Sequence, residues 1–377
     1  MRNPFRYGRR VKGESFLDRV TIKRDILNVL DGGNNVVLFG PRRYGKSSLV
    51  GEVLSDLQEQ GTLCAEINMM DVASLNDFVS RYAKIVYRAT APFAGAVNQV
   101  LGFFKRVSPT IGLDSEGKPE LKFELSSTKA GISALRDVLE LPEKLCPEGK
   151  RMVIALDEFQ EVAKLGLKVQ FERTMRSVVE NQEKVSYIYL GSKSHMLQRM
   201  FASKSRPFYN SAQKFQLDRP PEEESSAFVT ERFKSVGLSI STDLSSKMVD
   251  LVGNVPYYIQ ALGSWTFNAV NGTGRKSVTP QDIEEGFSAL YAAERILLEN
   301  TFQSYSESQR TLLLALATEP TNRFDETYRN RHHLASTSTT NTALKRLLEA
   351  SVIEPTTSAY LLADPLMVHH LKTIALD

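Results

Sequence analysis

The sequence predicts an α/β fold: a core on a five-stranded parallel sheet, then an all-helical segment, then a compact helix–helix–hairpin unit. Three observations lead there. The apolar run Asn35-Val-Val-Leu-Phe39 passes directly into the glycine-bearing turn Gly40-Pro-Arg-Arg-Tyr-Gly-Lys-Ser-Ser48 and then into the helical text Leu49-Val-Gly-Glu-Val-Leu54. A second unbroken apolar run, Met152 to Leu156, ends in Asp157-Glu158. Such runs suit strands covered on both faces, as parallel strands are. Near the end, amphipathic helical text is followed by two short strand-like runs around a turn.

The turn fits G-x-x-x-x-G-K-[ST] in the setting that pattern needs, strand before and helix after. Gly40 and Gly45 let the backbone of the loop Pro41-Arg42-Arg43-Tyr44 fold back and point its N–H groups into a concavity of phosphate size, deepened by the positive end of the next helix. Lys46 reaches the β- and γ-phosphates, Ser47 offers its hydroxyl to Mg²⁺, and Ser48 completes the nucleotide-binding set. ATP with Mg²⁺ is therefore the expected ligand pair. No guanine-reading Asn-Lys-x-Asp occurs, which leans toward adenine.

The carboxylates supply the other half. Asp157, ending a core strand, is placed to hold Mg²⁺ through its water shell. Glu158 points differently and can act as general base on the attacking water. An Asp-Glu pair favours hydrolysis over transfer to a small molecule. Further strands are expected at Gly61–Asn68, Val185–Ser192 and Gln213–Leu217. Ser192, at a strand tip, is either a sensor of the γ-phosphate or a cap for the helix His195–Met200.

Composition frames these motifs. The chain of 377 residues suits two or three domains. Its 47 basic and 44 acidic residues nearly cancel, so any basic surface must be local. Two distant cysteines, Cys64 and Cys146, suggest a reducing, cytoplasmic setting without structural disulfides. No apolar stretch approaches membrane-spanning length, and the Arg-rich start is unlike a signal peptide.

The expected domains are a core over 1–218, a helical lid over 219–298 and a winged-helix domain over 299–377. The arm Asn3–Arg19 either folds over the adenine or is a plain extension. Residues 90–127 read as an insertion: an apolar stretch Phe93–Val107, a turn-rich segment, and the alternating strand Glu120–Leu125, giving a small hairpin. It serves as a local lid or as a partner contact. Pro220-Pro-Glu-Glu-Glu224 marks the core's end. Helical text follows at Phe228–Phe233, Leu244–Val252, Tyr257–Val270 and Pro280–Arg295. Gly253-Asn-Val-Pro256 is either an ordinary helix start or a lid contact on the nucleotide through Pro256. Helices at Glu307–Ala317 and Thr339–Ala350, then strands within Val352–Ala363, follow winged helix-turn-helix order. In the second of these helices Leu344, Leu347 and Leu348 form the expected inward stripe. Asn341, Lys345 and Glu349 share a face for reading a DNA groove or packing on protein.

Together these segments resemble the archaeal and bacterial STAND ATPases, an AAA+-related branch near the origin-recognition ATPases. The matching text is Asn3-Pro-Phe and Phe16-Leu-Asp-Arg19, then Phe39 to Ser48, Leu141-Pro-Glu-Lys-Leu145 and Ile154 to Glu161. It continues with Gly191-Ser-Lys-Ser-His-Met196, Arg206-Pro-Phe-Tyr209, Gly253 to Gln260 and Ala363-Asp-Pro-Leu366. The resemblance implies a five-stranded P-loop core, a helical lid and a winged helix. It makes Pro256 a nucleotide-sensing lid proline and Arg206 a candidate charge-neutralising arginine; Arg42 and Arg43 could serve instead or meet a neighbouring subunit. Asp18 departs from the glycine usual there, which puts the adenine contact in question.

The function expected is an ATP-hydrolysing switch, slow without a partner, in which nucleotide state moves the lid and winged helix and governs oligomerisation or partner binding. Candidate partners are a second copy of the chain, another protein, or DNA. The main rival is an ATP-dependent DNA-binding regulator or initiator-like protein. A small-molecule kinase is disfavoured, because the final third is spent on lid and helix-turn-helix text.

Overall fold

The computed structural model describes residues 2–17, 19–90, 110–113, 119–122, 128–166, 169–192 and 194–376. Asp18, the run Phe93–Val107 and the turn at 114–118 lie outside them. The chain forms two compact units, one of residues 19–40 and 46–217, the other of residues 1–18, 41–45 and 218–377.

The strands of the first unit are, in chain order, β1 (Val36–Phe39), β2 (Leu63–Asn68), β3 (Thr110–Leu113), β4 (Pro119–Lys122), β5 (Met152–Asp157), β6 (Val185–Gly191) and β7 (Gln213–Gln216). Five make one parallel sheet in the order β2-β5-β6-β1-β7, and β3 pairs with β4 as a separate antiparallel hairpin. The apolar runs explain the layering. Every residue of β1, β5 and β6 is buried, whereas β2 alternates and β7, with only Phe215 apolar, is a mostly exposed edge. Register aligns the carboxyl ends: Phe39 pairs with Gly191, and Asn68 with Asp157. Because β6 runs between β1 and β5, its carboxyl end lies between the carboxyl ends of those two strands. That is the topological reason Gly191 and Ser192 belong to the site.

An aromatic cluster fixes the acidic end. Phe159, fully buried directly after Glu158, packs its ring 4.8 Å from Tyr189 and 5.5 Å from Phe208. Burial of such rings contributes about 1.5–3 kcal/mol each, enough to hold the strand-to-loop turn in one conformation. Phe208 belongs to Arg206-Pro-Phe-Tyr209, so that segment is pinned to the sheet through its aromatic residue. Arg206 pairs with Glu172, which is 1% exposed.

The second unit contains the helices Glu222–Lys234, Thr242–Leu251, Pro256–Val270 and Pro280–Gln303. Their starts are written locally. Ser241 accepts from the Leu244 N–H, Pro256 occupies the first turn, and Thr279 with Asp282 forms a capping box. The helix Pro280–Gln303 is continuous for 24 residues. The arm does not stand apart from the helices: Phe5 is buried with its ring 4.9 Å from Phe233, and the Asn3 side chain donates to Ser264. The Gln260 amide donates to the Ser15 carbonyl at 2.6 Å. These contacts tie the arm to the helical bundle.

The same unit continues with helices Glu307–Thr318, Glu326–Arg331 and Thr337–Glu349, the antiparallel pair β8 (Ile353–Pro355) and β9 (Tyr360–Leu362), and a last helix Pro365–Leu376. The inward stripe of Thr337–Glu349 is Thr340, Ala343 and Leu347; Leu344 and Leu348 are only half-buried. The expected leucine stripe is thus corrected by a rotation toward smaller residues, which permits closer helix packing. Asn341, Lys345 and Glu349 are exposed. Both cysteines are free thiols, and burial pushes Cys64 up to about 12. Among the described residues, no helix is long and apolar enough to cross a membrane.

Candidate active site

Gly40 ends β1 where the backbone passes close to β7: a Cβ there would lie 2.6 Å from the Leu217 carbonyl oxygen. Only glycine fits. The turn then needs left-handed backbone at Arg43 (φ +70°) and Gly45 (φ +87°), a conformation natural for the glycine and costly for the arginine. The helix Lys46–Glu59 starts with no acidic residue in its first turn, leaving its positive end for an external anion.

In the sheet unit, Lys46 is buried, and its ammonium donates to the Gly40 carbonyl at 2.7 Å. The Ser47 hydroxyl donates to Asp157 Oδ2 at 2.7 Å, joining the start of the helix to the end of β5. Asp157 Oδ1 accepts from the Glu158 N–H at 2.8 Å. Burial pushes the Asp157 carboxyl above its ordinary range, the Ser47 hydrogen bond opposes this, and the neighbouring Glu158 carboxylate adds to the rise. A divalent cation beside such a group would relieve that penalty.

Glu158 has left-handed backbone (φ +51°), which turns its side chain off the strand path. Its Oε2 accepts from the Ser192 hydroxyl at 3.0 Å and from the Ser192 N–H at 3.2 Å. The Gln160 amide also donates to that oxygen. Thus Lys46, Ser47, Asp157, Glu158 and Ser192 come together in one unit, while Ser48 is buried in the same helix. For Ser192 the expected choice was sensor or cap; its hydroxyl is engaged with Glu158.

The remaining predicted residues stand elsewhere. Arg206 is bound to Glu172. Within the second unit, Arg43 reaches Tyr258 and Asp364, the latter at 2.8 Å, with its guanidinium 4.8 Å from the Tyr257 ring centre. Tyr44 is buried; its hydroxyl accepts from Arg219 at 3.0 Å and donates to Glu354 at 3.3 Å. Burial pushes the Tyr44 hydroxyl up, with Glu354 adding to it. Pro256 opens its helix, and the next N–H, from Tyr257, donates to the Arg43 carbonyl at 3.3 Å. Arg42 is exposed and Pro41 half-buried. The turn's middle residues therefore anchor on the lid and wing. Gln160, Arg219, Glu354 and Asp364 were not singled out for roles from the sequence. The matching text Ile154 to Glu161, Gly253 to Gln260 and Ala363-Asp-Pro-Leu366 included Gln160, Tyr258 and Asp364, without assigning these contacts.

Residues 16–262 match the family model described as an ATPase domain predominantly from Archaea. The chain belongs to that family. Residues 297–373 match a second model, described as a probable winged helix domain. No curated protein matches the chain. Among solved structures, the Walker-type ATPase of Pyrococcus abyssi is similar at 16% identity and TM-score 0.70, covering 98% of this chain and 99% of that one. The Aeropyrum pernix ORC2 protein, in its ADPNP–ADP complexes, is similar at 14% identity and TM-score 0.57, covering 95% and 94%. The ORC1 protein of the same organism, in complex with DNA, is similar at 13% identity and TM-score 0.50, covering 96% and 94%. The two matched models place an ATPase domain before a winged helix domain along this chain, the order of the architecture described above.

Proposed function

We propose that this family member is an ATP-hydrolysing molecular switch of the STAND type. The observation that carries the reading is the 2.7 Å contact between Ser47 and Asp157, which joins the hydroxyl and carboxylate that a triphosphate-bound Mg²⁺ requires. The backbone of 40–45 and the helix Lys46–Glu59 would hold the phosphates, and the Lys46 ammonium would exchange its Gly40 carbonyl for phosphate oxygens. Mg²⁺ held by Ser47 and Asp157 would neutralise charge on the phosphates. Glu158 accepts a proton from a water; the water oxygen bonds to the γ-phosphorus as the bond to the β–γ bridging oxygen breaks, giving ADP and phosphate. Ser192 orients Glu158.

The coupling runs through the turn itself. Arg43 and Tyr44 are two residues and one residue from Gly45, the nearest phosphate-binding glycine, and their side chains are held by Tyr258, Asp364, Arg219 and Glu354. A turn that reshapes around triphosphate must strain these contacts, and a displaced wing must pull on the turn. Lid and winged-helix positions thereby depend on nucleotide, and Pro256 senses it from the start of its helix. Arg42, exposed on the same turn, is the residue for a neighbouring copy. ATP titration with and without Asp364→Asn tests this: nucleotide affinity or release rate should change, because Asp364 meets the turn through the Arg43 guanidinium.

A second reading has its own support. Ser338, Asn341, Thr342, Lys345 and Arg346 are exposed along the helix Thr337–Glu349, the position of a groove-reading helix, and the ORC1 neighbour is a complex with DNA. Under it, the winged helix delivers the switch to duplex DNA. A gel shift that weakens steeply from 50 to about 200 mM salt supports it; no shift with any duplex leaves a protein partner or a second copy as the reader of the switch.

A further inference from the structure

We propose that Gln160 is a positioning residue that selects which oxygen of Glu158 acts as the base; this rests on the reading of Glu158 as the group that receives the water proton. The Gln160 amide is 1% exposed and donates through Nε2 to Glu158 Oε2. The Ser192 N–H and hydroxyl donate to that same oxygen. One carboxylate oxygen offers about two lone-pair directions, so three donors saturate Oε2. Among the described residues, Oε1 accepts none. Oε1 is then the one oxygen with capacity to take a proton, and the orientation of the carboxylate is set by the donors on the other.

Gln160 is held for this task at a cost. Its own carbonyl oxygen, Oε1, is buried without a hydrogen-bond partner, an arrangement that proteins ordinarily avoid. The reason it persists is local packing: the amide fills the space beside Gly191, where any Cβ would overlap Gln160 Oε1. An unbranched, side-chain-free residue at the tip of β6 leaves room for the amide to reach Glu158. Serine at 192 and glutamine at 160 thus approach the carboxylate from the end of β6 and from the turn after β5, and the buried Phe159, directly before Gln160, packs its ring on Tyr189 of β6 and so holds the two elements together.

The test uses the full chain with Mg-ATP, following nucleotide binding by calorimetry and phosphate release in a single turnover. Gln160→Met keeps the volume and removes the donor. It should leave ATP affinity within about twofold and slow phosphate release roughly 10- to 100-fold, the scale of one lost hydrogen bond to a charged group. Gly191→Ala displaces the amide without touching it covalently and should give the same split, which keeps the test available should Gln160→Met fold poorly. Added to Glu158→Gln, Gln160→Met should cause no further loss, since its effect passes through Glu158. Release at the unmodified rate in both single variants overturns the proposal. So does a parallel fall of affinity and rate, the mark of a purely structural role. If instead Glu158→Gln alone turns over normally, the base assignment fails and the cause of failure is distinguished.

Discussion

Replacing Arg206 by alanine separates a structural arginine from a catalytic one. The guanidinium is bound to Glu172, whose side chain is 2% exposed, and Glu172 Oε2 is buried without a hydrogen-bond partner. Burial pushes the Glu172 carboxyl above its ordinary range even with Arg206 beside it. Arg206→Ala leaves that charge uncompensated, a loss of about 3–5 kcal/mol. At about 2–4 °C per kcal/mol for a unit of this size, the melting temperature should fall by roughly 6–20 °C. The pH dependence has a definite sign. With its folded pKa raised further, Glu172 takes up a proton on folding, so stability is fully present below its unfolded value and is lost as pH rises through the folded value. The deficit should therefore be larger at pH 8 than at pH 5. Adding Glu172→Leu to Arg206→Ala should restore most of the loss. Differential scanning calorimetry at both pH values, with ATPase rates alongside, provides the readout. An Arg206→Ala protein that melts like the unmodified one yet hydrolyses no ATP would refute the reasoning and return Arg206 to the phosphates.

Three further outcomes follow from the same contacts. Lys46→Ala should weaken Mg-ATP binding by roughly 100-fold, the scale of a lost charge-assisted contact in a buried site, as read by calorimetry. Tyr44→Phe removes the hydroxyl between Arg219 and Glu354 and should lower stability by about 1–3 kcal/mol while changing the rate at which a fluorescent ADP analogue is released. Asp282→Ala removes the capping box of the helix Pro280–Gln303 and should cost about 1–2 kcal/mol at pH 7 in urea unfolding. Asp282 is buried, but its hydrogen bonds from Arg275 and Thr279 outweigh that and hold its carboxyl below the ordinary value; its contribution is present at neutral pH and disappears as pH falls through that lowered value.

The sheet and the phosphate turn were readable because their determinants are local. Apolar runs of strand length, glycines at the ends of a turn and carboxylates at a strand tip carry their meaning within a few residues. Ser192 was placed at the site for the same reason, although its partner was not. What could not be read lies in pairings distant along the chain. Phe5 packs on Phe233, and Tyr44 on Glu354, so neither arm nor turn advertises its destination. Their polar and aromatic residues look like an unadorned extension and an ordinary cradle until the bundle is assembled. The helix Pro365–Leu376 was not assigned from the sequence, although Pro365 stands at its first position as Pro256 and Pro280 do in theirs. The leucine stripe of Thr337–Glu349 was misplaced by a small rotation because leucines outweigh Thr340 and Ala343 in hydropathy, whereas close packing favours the smaller side chains. Gln160 escaped notice because a glutamine two residues past an acidic pair has no meaning until its amide is seen on the carboxylate.

The account is tested most directly by one comparison: Mg-ATP binding and phosphate release measured on the same samples of the unmodified chain and of Glu158→Gln. Retained affinity with release slowed by two orders of magnitude or more, on the scale of losing a general base, is the expected result. Absence of Mg-ATP binding to the unmodified chain, or equal release by both proteins, contradicts it.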